Sequence, residues 1–195
     1  MSKRVFDLIF CIPGLILLSP LFLIVGFLVK MTSKGPVFYR QIRVGRYGRD
    51  FKIWKFRTMV EDADKNGQLI TKSDDRRITP IGHVLRKYKI DELPQLINVL
   101  CNDMSLVGPR PEVRKYVESY TEEQKHVLNL IPGITDVASI KYRNESELLT
   151  TIYKNYDVDE VYKFFIMPDK IHMNLAYAAK STVFSDFKVI IKTLL

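Results

Sequence analysis

The hydrophobic and polar positions of the chain fall into blocks with different periods. From Leu8 to Val29 there are 22 consecutive residues without a charge. As a straight helix such a run covers about 33 Å, enough to cross the hydrocarbon core of a bilayer. Pro13-Gly14 and, near the middle, Ser19-Pro20 interrupt it, and a proline in a helix interior predicts a kink. Lys3 and Arg4 precede the run and Lys30 and Lys34 follow it. A single crossing is normally asymmetric in Lys and Arg, so these flanks favour a segment that enters and leaves on one side, with a proline-kinked crossing as the alternative. No small-x-small cleavage site follows, which argues against a signal peptide.

Residues Val37 to Val44 and Phe51 to Met59 are rich in strand formers and are joined by Gly45-Arg46-Tyr47-Gly48, which predicts a β-hairpin. Glu61 to Arg77 is polar and predicts a loop. Pro80-Ile81-Gly82 opens a short helix reaching Lys89. Asp91 then reads as the N-cap of an apolar helix, with Pro94 tolerated in its first turn and Leu93, Leu96, Ile97 and Leu100 on one face. Thr121 with Gln124 predicts a capping box opening a helix that ends before Pro132-Gly133. The C-terminal part has helical period with a break at Met167-Pro168. From Ser185 as N-cap, Phe187, Ile190, Ile191 and Leu194 face away from Lys188 and Lys192, either onto a core or into a membrane interface. The expected architecture is one mixed α/β domain, residues 35–195, behind a membrane segment with its flanks, residues 1–34.

Composition narrows the partners. The excess of 30 basic over 22 acidic residues implies an anionic partner: phosphate groups, a membrane surface or nucleic acid. Seven Lys or Arg between Arg40 and Arg57 interleave with aromatic residues, a pattern that suits a single-strand nucleic-acid platform or a surface lying on anionic lipid. The preceding apolar run favours lipid, and most of those aromatics are expected to pack on a core. Cys11 and Cys101 give no disulfide framework and no metal spacing. His83, His126 and His172 are isolated, and no Gly-rich phosphate loop occurs.

The stretch richest in chemistry is Tyr88 to Pro111. It places adjacent carboxylates, Asp91 and Glu92, at a helix start, where free N–H groups and positive dipole favour a phosphate or metal–phosphate. It ends on Arg110 in Gly108-Pro109-Arg110-Pro111, where the prolines restrict the backbone and aim the guanidinium. Arg86, Lys87 and Lys89 lie close enough in sequence to keep Asp91 ionised. Asp74 and Asp75, beside Arg76 and Arg77, read as an ion-paired surface rather than as metal ligands.

DELPQLINVL, NDMSLVGPRPE, FKIWKFRTM and the apolar N-terminus together resemble the bacterial sugar transferases called monotopic phosphoglycosyl transferases. The resemblance is colinear from about Lys3 to Asn144. It implies a re-entrant membrane helix broken at Ser19-Pro20, amphipathic interfacial helices, and a catalytic domain on the cytoplasmic face of the bacterial inner membrane. It also implies a UDP-sugar donor, a polyprenyl (undecaprenyl) phosphate acceptor, UMP as product, Asp91 as nucleophile and metal-bridging carboxylate, Mg²⁺ as cofactor, and Glu92 in positioning or proton transfer. Arg110, Arg86, Arg77 and Arg143 carry over as phosphate contacts. Arg76 replaces the family's usual proline, and Lys141-Tyr142-Arg143-Asn144 replaces Asn-Gly-Arg-Asn, losing a glycine. Nucleic acid is not an expected partner, and oligomeric state is left open, a dimer being one option. Other classes fit the charge and the anchor without chemistry: a basic membrane-attached nucleic-acid or lipid-binding module, or a non-catalytic assembly scaffold.

Overall fold

A computed structural model of the protein describes residues 2–63, 75–151, 153 and 156–194. The fold is mixed α/β. Helix α1 (Lys3–Thr32) leads into an antiparallel hairpin of β1 (Phe38–Val44) and β2 (Asp50–Phe56), in register from Phe38 opposite Phe56 to Val44 opposite Asp50. The turn places Tyr47 at φ 57° and Gly48 at φ 73°, the left-handed region that glycine enters most freely. The hairpin aromatics are largely used up in packing. Phe38 meets Trp54 edge-on at 5.3 Å and stacks on Phe56 at 5.2 Å, while the Arg40 guanidinium covers Trp54 at 3.8 Å.

Helices α2 (Pro80–Lys87) and α3 (Gln95–Leu100) follow, and then a parallel pair, β3 (Ser105–Val107) and β4 (Gly133–Thr135). The apolar face expected of α3 is not its buried face. Gln95, Asn98 and Val99 are buried, and Leu100 is exposed. Asn98 goes inside because its side chain pairs with backbone groups of β2, accepting from Trp54 N–H at 2.9 Å and donating to Lys52 C=O at 2.9 Å. Satisfied in this way, a polar group can be buried without an orphaned partner.

Helix α1 runs unbroken through Pro13 and Pro20, and no change of secondary structure marks Ser19-Pro20. Pro20 has no N–H to give the carbonyl four residues back, but Ser19 Oγ donates to that carbonyl, Ile16 O, at 2.8 Å. One face of α1 docks on the rest of the chain over most of its length. Near its start, Arg4 donates to Val99 O and Leu100 O at 2.6 and 2.9 Å, Asp7 accepts from Ser105 Oγ and Leu106 N–H, and Lys3 pairs with Asp186. Near its end, Val25 and Val29 pack with Phe56 and Leu85, and Arg57 donates to Ser33 O. The opposite face is also apolar and has no partner among the described residues: Ile16, Leu17, Leu23 and Phe27 are all more than half exposed. By length and composition α1 is apolar enough to cross a membrane.

The second half is built from short helices, α4 (Arg114–Val117), α5 (Glu122–Lys125), α6 (Val137–Lys141), α7 (Glu145–Thr151) and α8 (Val158–Val161), and two longer ones, α9 (Met167–Ala178) and α10 (Val183–Leu194). Thr121 and Gln124 form the expected capping box, and the helical segment ends before Pro132. At Met167-Pro168 the expected break is instead a five-residue π-helical stretch, Tyr162–Ile166, through which the helix continues. Such a widened turn accommodates a proline that cannot donate. Helix α10 is capped by Thr182 rather than Ser185: Thr182 Oγ1 accepts from Ser185 N–H and Ser185 Oγ accepts from Thr182 N–H. Val189 of α10 is buried in the core with Phe6 and Met104, while Phe184 and Phe187 stay at the surface. The terminal helix therefore packs on the core and leaves an apolar edge outside.

Candidate active site

The carboxylates sit where α2 ends. Lys89 turns the chain through φ 53°, and residues Ile90–Glu92 form a single 3₁₀ turn before Pro94 starts α3. Asp91 is thus not the N-cap of α3; the proline occupies that position and pushes Asp91 one short turn upstream. The turn buries Asp91, which is 8% exposed, and sends Glu92 toward β2.

Glu92 is locked from two sides. Its Oε1 accepts from Lys55 Nζ at 2.7 Å, and the Arg110 guanidinium forks onto it, Nη2 to Oε1 at 2.5 Å and Nη1 to Oε2 at 3.2 Å. Such paired, charge-assisted bonds fix geometry as well as charge. Arg110 is held in turn by the strand pair behind it. Gly108 N–H donates to Thr135 O at 2.9 Å, and Gly133 N–H donates to Pro109 O at 3.0 Å. Only glycines allow this approach: a Cβ at 108 would lie 2.3 Å from Ile131 O, and one at 133 would lie 2.1 Å from Gly108 N. The aim that the two prolines give Arg110 is completed by β4.

Electrostatics separates the two acids. Glu92 is held well below the usual carboxylate range because Arg110 and Lys55 outweigh its desolvation. Burial, and then the charge of Glu92, push Asp91 up to about 6, against the pull of Lys55, Arg86 and Arg110. Arg86 does face the site, yet Glu92, not Asp91, is the acid held most firmly ionised.

Asp91 and Glu92 open onto a cavity of about 310 Å³ lined by Lys55, Arg86, Lys89, Arg110, Ser139, Tyr142, Arg143, Glu145 and Lys170. Six of its side chains are cationic and three anionic. A site of this balance attracts a multiply charged phosphate ester. The far wall comes from α6, α7 and α9: Lys170 pairs with Glu145 and lies over the Tyr142 and Tyr162 rings, and Tyr142 OH donates to Asp169 at 2.7 Å.

Of the sequence candidates, Asp91, Glu92, Arg86, Arg110 and Arg143 come together here. Arg143 also donates through Nη2 to Lys192 O and Thr193 O, closing the end of α10. Arg77 does not line the cavity. It chelates Asp75 through Nε and Nη2 and donates from Nη1 to Ala63 O, which makes it a brace for the chain around residue 77. Asp75 is accordingly ion-paired, and Asp74 lies outside the described residues. Ser19 and Pro20 stand on α1, away from the cavity lining. Sequence reasoning missed Lys55, Glu145 and Lys170. Lys55 was present in FKIWKFRTM but hidden among seven similar charges, whereas Lys170 carried no local signal.

No group of three or more His, Cys, Asp or Glu among the described residues is arranged to hold a metal alone. A hard divalent cation such as Mg²⁺ needs less, because it commonly takes one or two carboxylates and completes its shell with substrate phosphate and water. Asp91, a carboxylate open to a phosphate-attracting cavity, fits that donor role.

The family model described as bacterial sugar transferase matches residues 1–195. The chain belongs to the bacterial sugar transferase family. This sugar transferase is 40% identical over 185 residues to the exopolysaccharide production protein ExoY of Sinorhizobium fredii, a match covering 87% of the chain and 81% of that protein. It is 40% identical over 164 residues to the UDP-glucose:undecaprenyl-phosphate glucose-1-phosphate transferase of Klebsiella pneumoniae, covering 82% of the chain and 35% of that protein. It is 42% identical over 143 residues to the UDP-N-acetylgalactosamine-undecaprenyl-phosphate N-acetylgalactosaminephosphotransferase of Aeromonas hydrophila, covering 71% of the chain and 33% of that protein. The last two matches span about a third of the relatives' length.

Proposed function

We propose that this sugar transferase moves a sugar phosphate from a UDP-sugar to polyprenyl phosphate at the membrane surface. The observation that carries the reading is Asp91 itself: a buried carboxylate with its own neighbour already neutralised, opening onto a cationic cavity. An Asp91 oxygen attacks the sugar-bearing phosphorus, the bond to the UMP oxygen breaks, and UMP leaves. A phosphate oxygen of the lipid then attacks the same phosphorus, and Asp91 departs as carboxylate, giving polyprenyl diphosphate sugar. Arg110, Arg86 and Arg143 supply positive charge for the diphosphate as charge builds on its oxygens. Asp91 would be the residue to hold Mg²⁺, which would supply further charge neutralisation when bound. Lys55 and Arg110 hold Glu92 so that it does not repel the donor as a free anion.

The membrane reading rests on α1. Its free face is apolar, and both of its ends touch the same body of the protein, which supports placing Ser2 and Lys34 in one aqueous compartment; a UDP-sugar donor would make that compartment the cytoplasm. Cysteine labelling at both positions in intact cells tests this; opposite accessibility overturns it. The function is tested by UMP release from a panel of UDP-sugars with undecaprenyl phosphate present. Release with one or a few sugars supports the reading, and no release with any sugar in membrane-reconstituted protein contradicts it.

A further inference from the structure

We propose a second anion site at the C-terminal end of α1 that takes the phosphate of a lipid, separate from the Asp91 cavity. The inference rests on α1 lying in the membrane and is independent of the transfer chemistry. Its centre is Arg57, which is 6% exposed although fully ionised guanidinium groups are rarely buried unpaired. Nη2 donates to Ser33 O and Ser33 Oγ, both at 2.8 Å. Nε and Nη1 are buried and meet no hydrogen-bond partner among the described residues. Two strong donors are thus left without a partner at one point.

A thin layer of chain, Ser33 to Gly35, separates them from the surface. Gly35 has φ +110°, and a Cβ there would fall 2.1 Å from Arg57 Nη1, so only a glycine lets the chain pass directly over the guanidinium. Gly35 lines an open concavity of about 440 Å³ together with Lys30, Met31, Thr32, Ser33 and Lys34. Lys30 and Lys34 add two exposed cations, Lys30 donating to Gly35 O at 3.2 Å. Glu61 is the acid nearby, its carboxyl carbon 3.5 Å from that same Cβ position, but it makes no hydrogen bond to Nε or Nη1. Three cations against one acid leave the concavity positive.

A helix C-terminus ordinarily repels anions through its free carbonyls. Here part of that end is covered: Thr32 Oγ1 donates to Leu28 O at 2.7 Å, Ser33 N–H donates to Val29 O at 3.2 Å, and Arg57 takes Ser33 O. Immediately before the concavity, Phe27 and Met31 are 65% and 70% exposed on the apolar face of α1. A ligand with an anionic head at Arg57 and a hydrocarbon tail along Phe27 and Met31 satisfies both halves of the surface. The head is a phosphate ester, either the monoester of a polyprenyl phosphate or the diester of an anionic glycerophospholipid.

The test uses the full chain in neutral alkyl glycoside micelles, with arginine side chains labelled by ¹⁵N and the Arg57 Nε–H resonance assigned by its loss in Arg57→Lys. Farnesyl phosphate, dihexanoyl phosphatidylglycerol and farnesol are added in turn. The proposal expects a saturating shift of the Arg57 resonance with a phosphate and none with farnesol. A shift confined to farnesyl phosphate assigns the site to the acceptor, and one with phosphatidylglycerol assigns it to a resident membrane lipid. In the Lys30→Gln, Lys34→Gln double variant the apparent Kd should rise about tenfold, while UMP exchange without acceptor is unchanged. An unmoved Arg57 resonance with both phosphates, or an equal shift with farnesol, overturns the proposal.

Discussion

The two walls of the Asp91 cavity are built in different ways. The wall carrying Lys55, Glu92 and Arg110 comes from a hairpin, a 3₁₀ turn and a strand pair, and its charges are locked to each other by bonds of 2.5 to 3.2 Å. Behind it, two glycines bring β3 and β4 into backbone contact. The wall carrying Tyr142, Arg143, Glu145 and Lys170 comes from α6, α7 and α9, where the ion pairs are single ones, Lys170 with Glu145 and the more exposed Lys141 with Asp169, and no carboxylate is clamped between two cations among the described residues. A reaction at phosphorus needs its groups held within fractions of an ångström, while recognition of a nucleotide and a sugar can use groups that adjust. The first wall is therefore where chemistry belongs, and the second is where the choice of donor belongs.

Breaking the first wall at its centre should have the largest effect. Glu92→Ala leaves Lys55 and Arg110 without their shared counter-charge in a buried setting, which should cost about 3 kcal/mol of stability. Thermal or denaturant unfolding of the purified protein measures it, and a loss within about 0.5 kcal/mol would return Glu92 to an ordinary surface role. Next comes Arg110→Lys, which keeps the charge but loses the planar fork onto both Glu92 oxygens. Turnover should fall at least about tenfold, equivalent to about 1.4 kcal/mol of transition-state stabilisation. Initial-rate assays of UMP release provide the comparison, and wild-type turnover would leave Arg110 as a turn residue only. The smallest effect is expected on the second wall. Glu145→Gln should change KM for the UDP-sugar by about two- to tenfold with kcat nearly constant, the pattern of lost uniform binding. A fall in kcat at unchanged KM would move Glu145 to the reacting side of the cavity.

The same contrast governs what could be read in advance. Glu92 and Arg110 of the first wall were legible because they lie in contiguous motifs, DELPQ and GPRP, whose turn chemistry follows from proline and glycine, whereas Lys55, on the hairpin, was not. The hairpin was legible from its glycine-bearing turn. The N-cap role expected of Asp91 failed because Pro94, tolerated in a first turn, took the cap position itself. The face of α3 was misread because burial of Asn98 depends on backbone groups of β2 more than forty residues away. Lys170 stayed hidden for a similar reason, since its neighbours Glu145, Tyr142 and Tyr162 meet it only through tertiary packing. Ser19-Pro20 signalled a break, yet a single hydroxyl on Ile16 O repairs the bond that the proline removes.

The central claim is that Asp91, and not its clamped neighbour, takes the sugar phosphate. Intact mass spectrometry of the protein incubated with its UDP-sugar and no lipid acceptor tests it most directly. The account predicts an added mass of one phosphosugar on the wild-type protein, with UMP released in equal amount, and no addition on Asp91→Asn. An adduct that persists in Asp91→Asn, or a wild-type preparation that is active with lipid but forms no adduct and exchanges no UMP without it, would contradict the account.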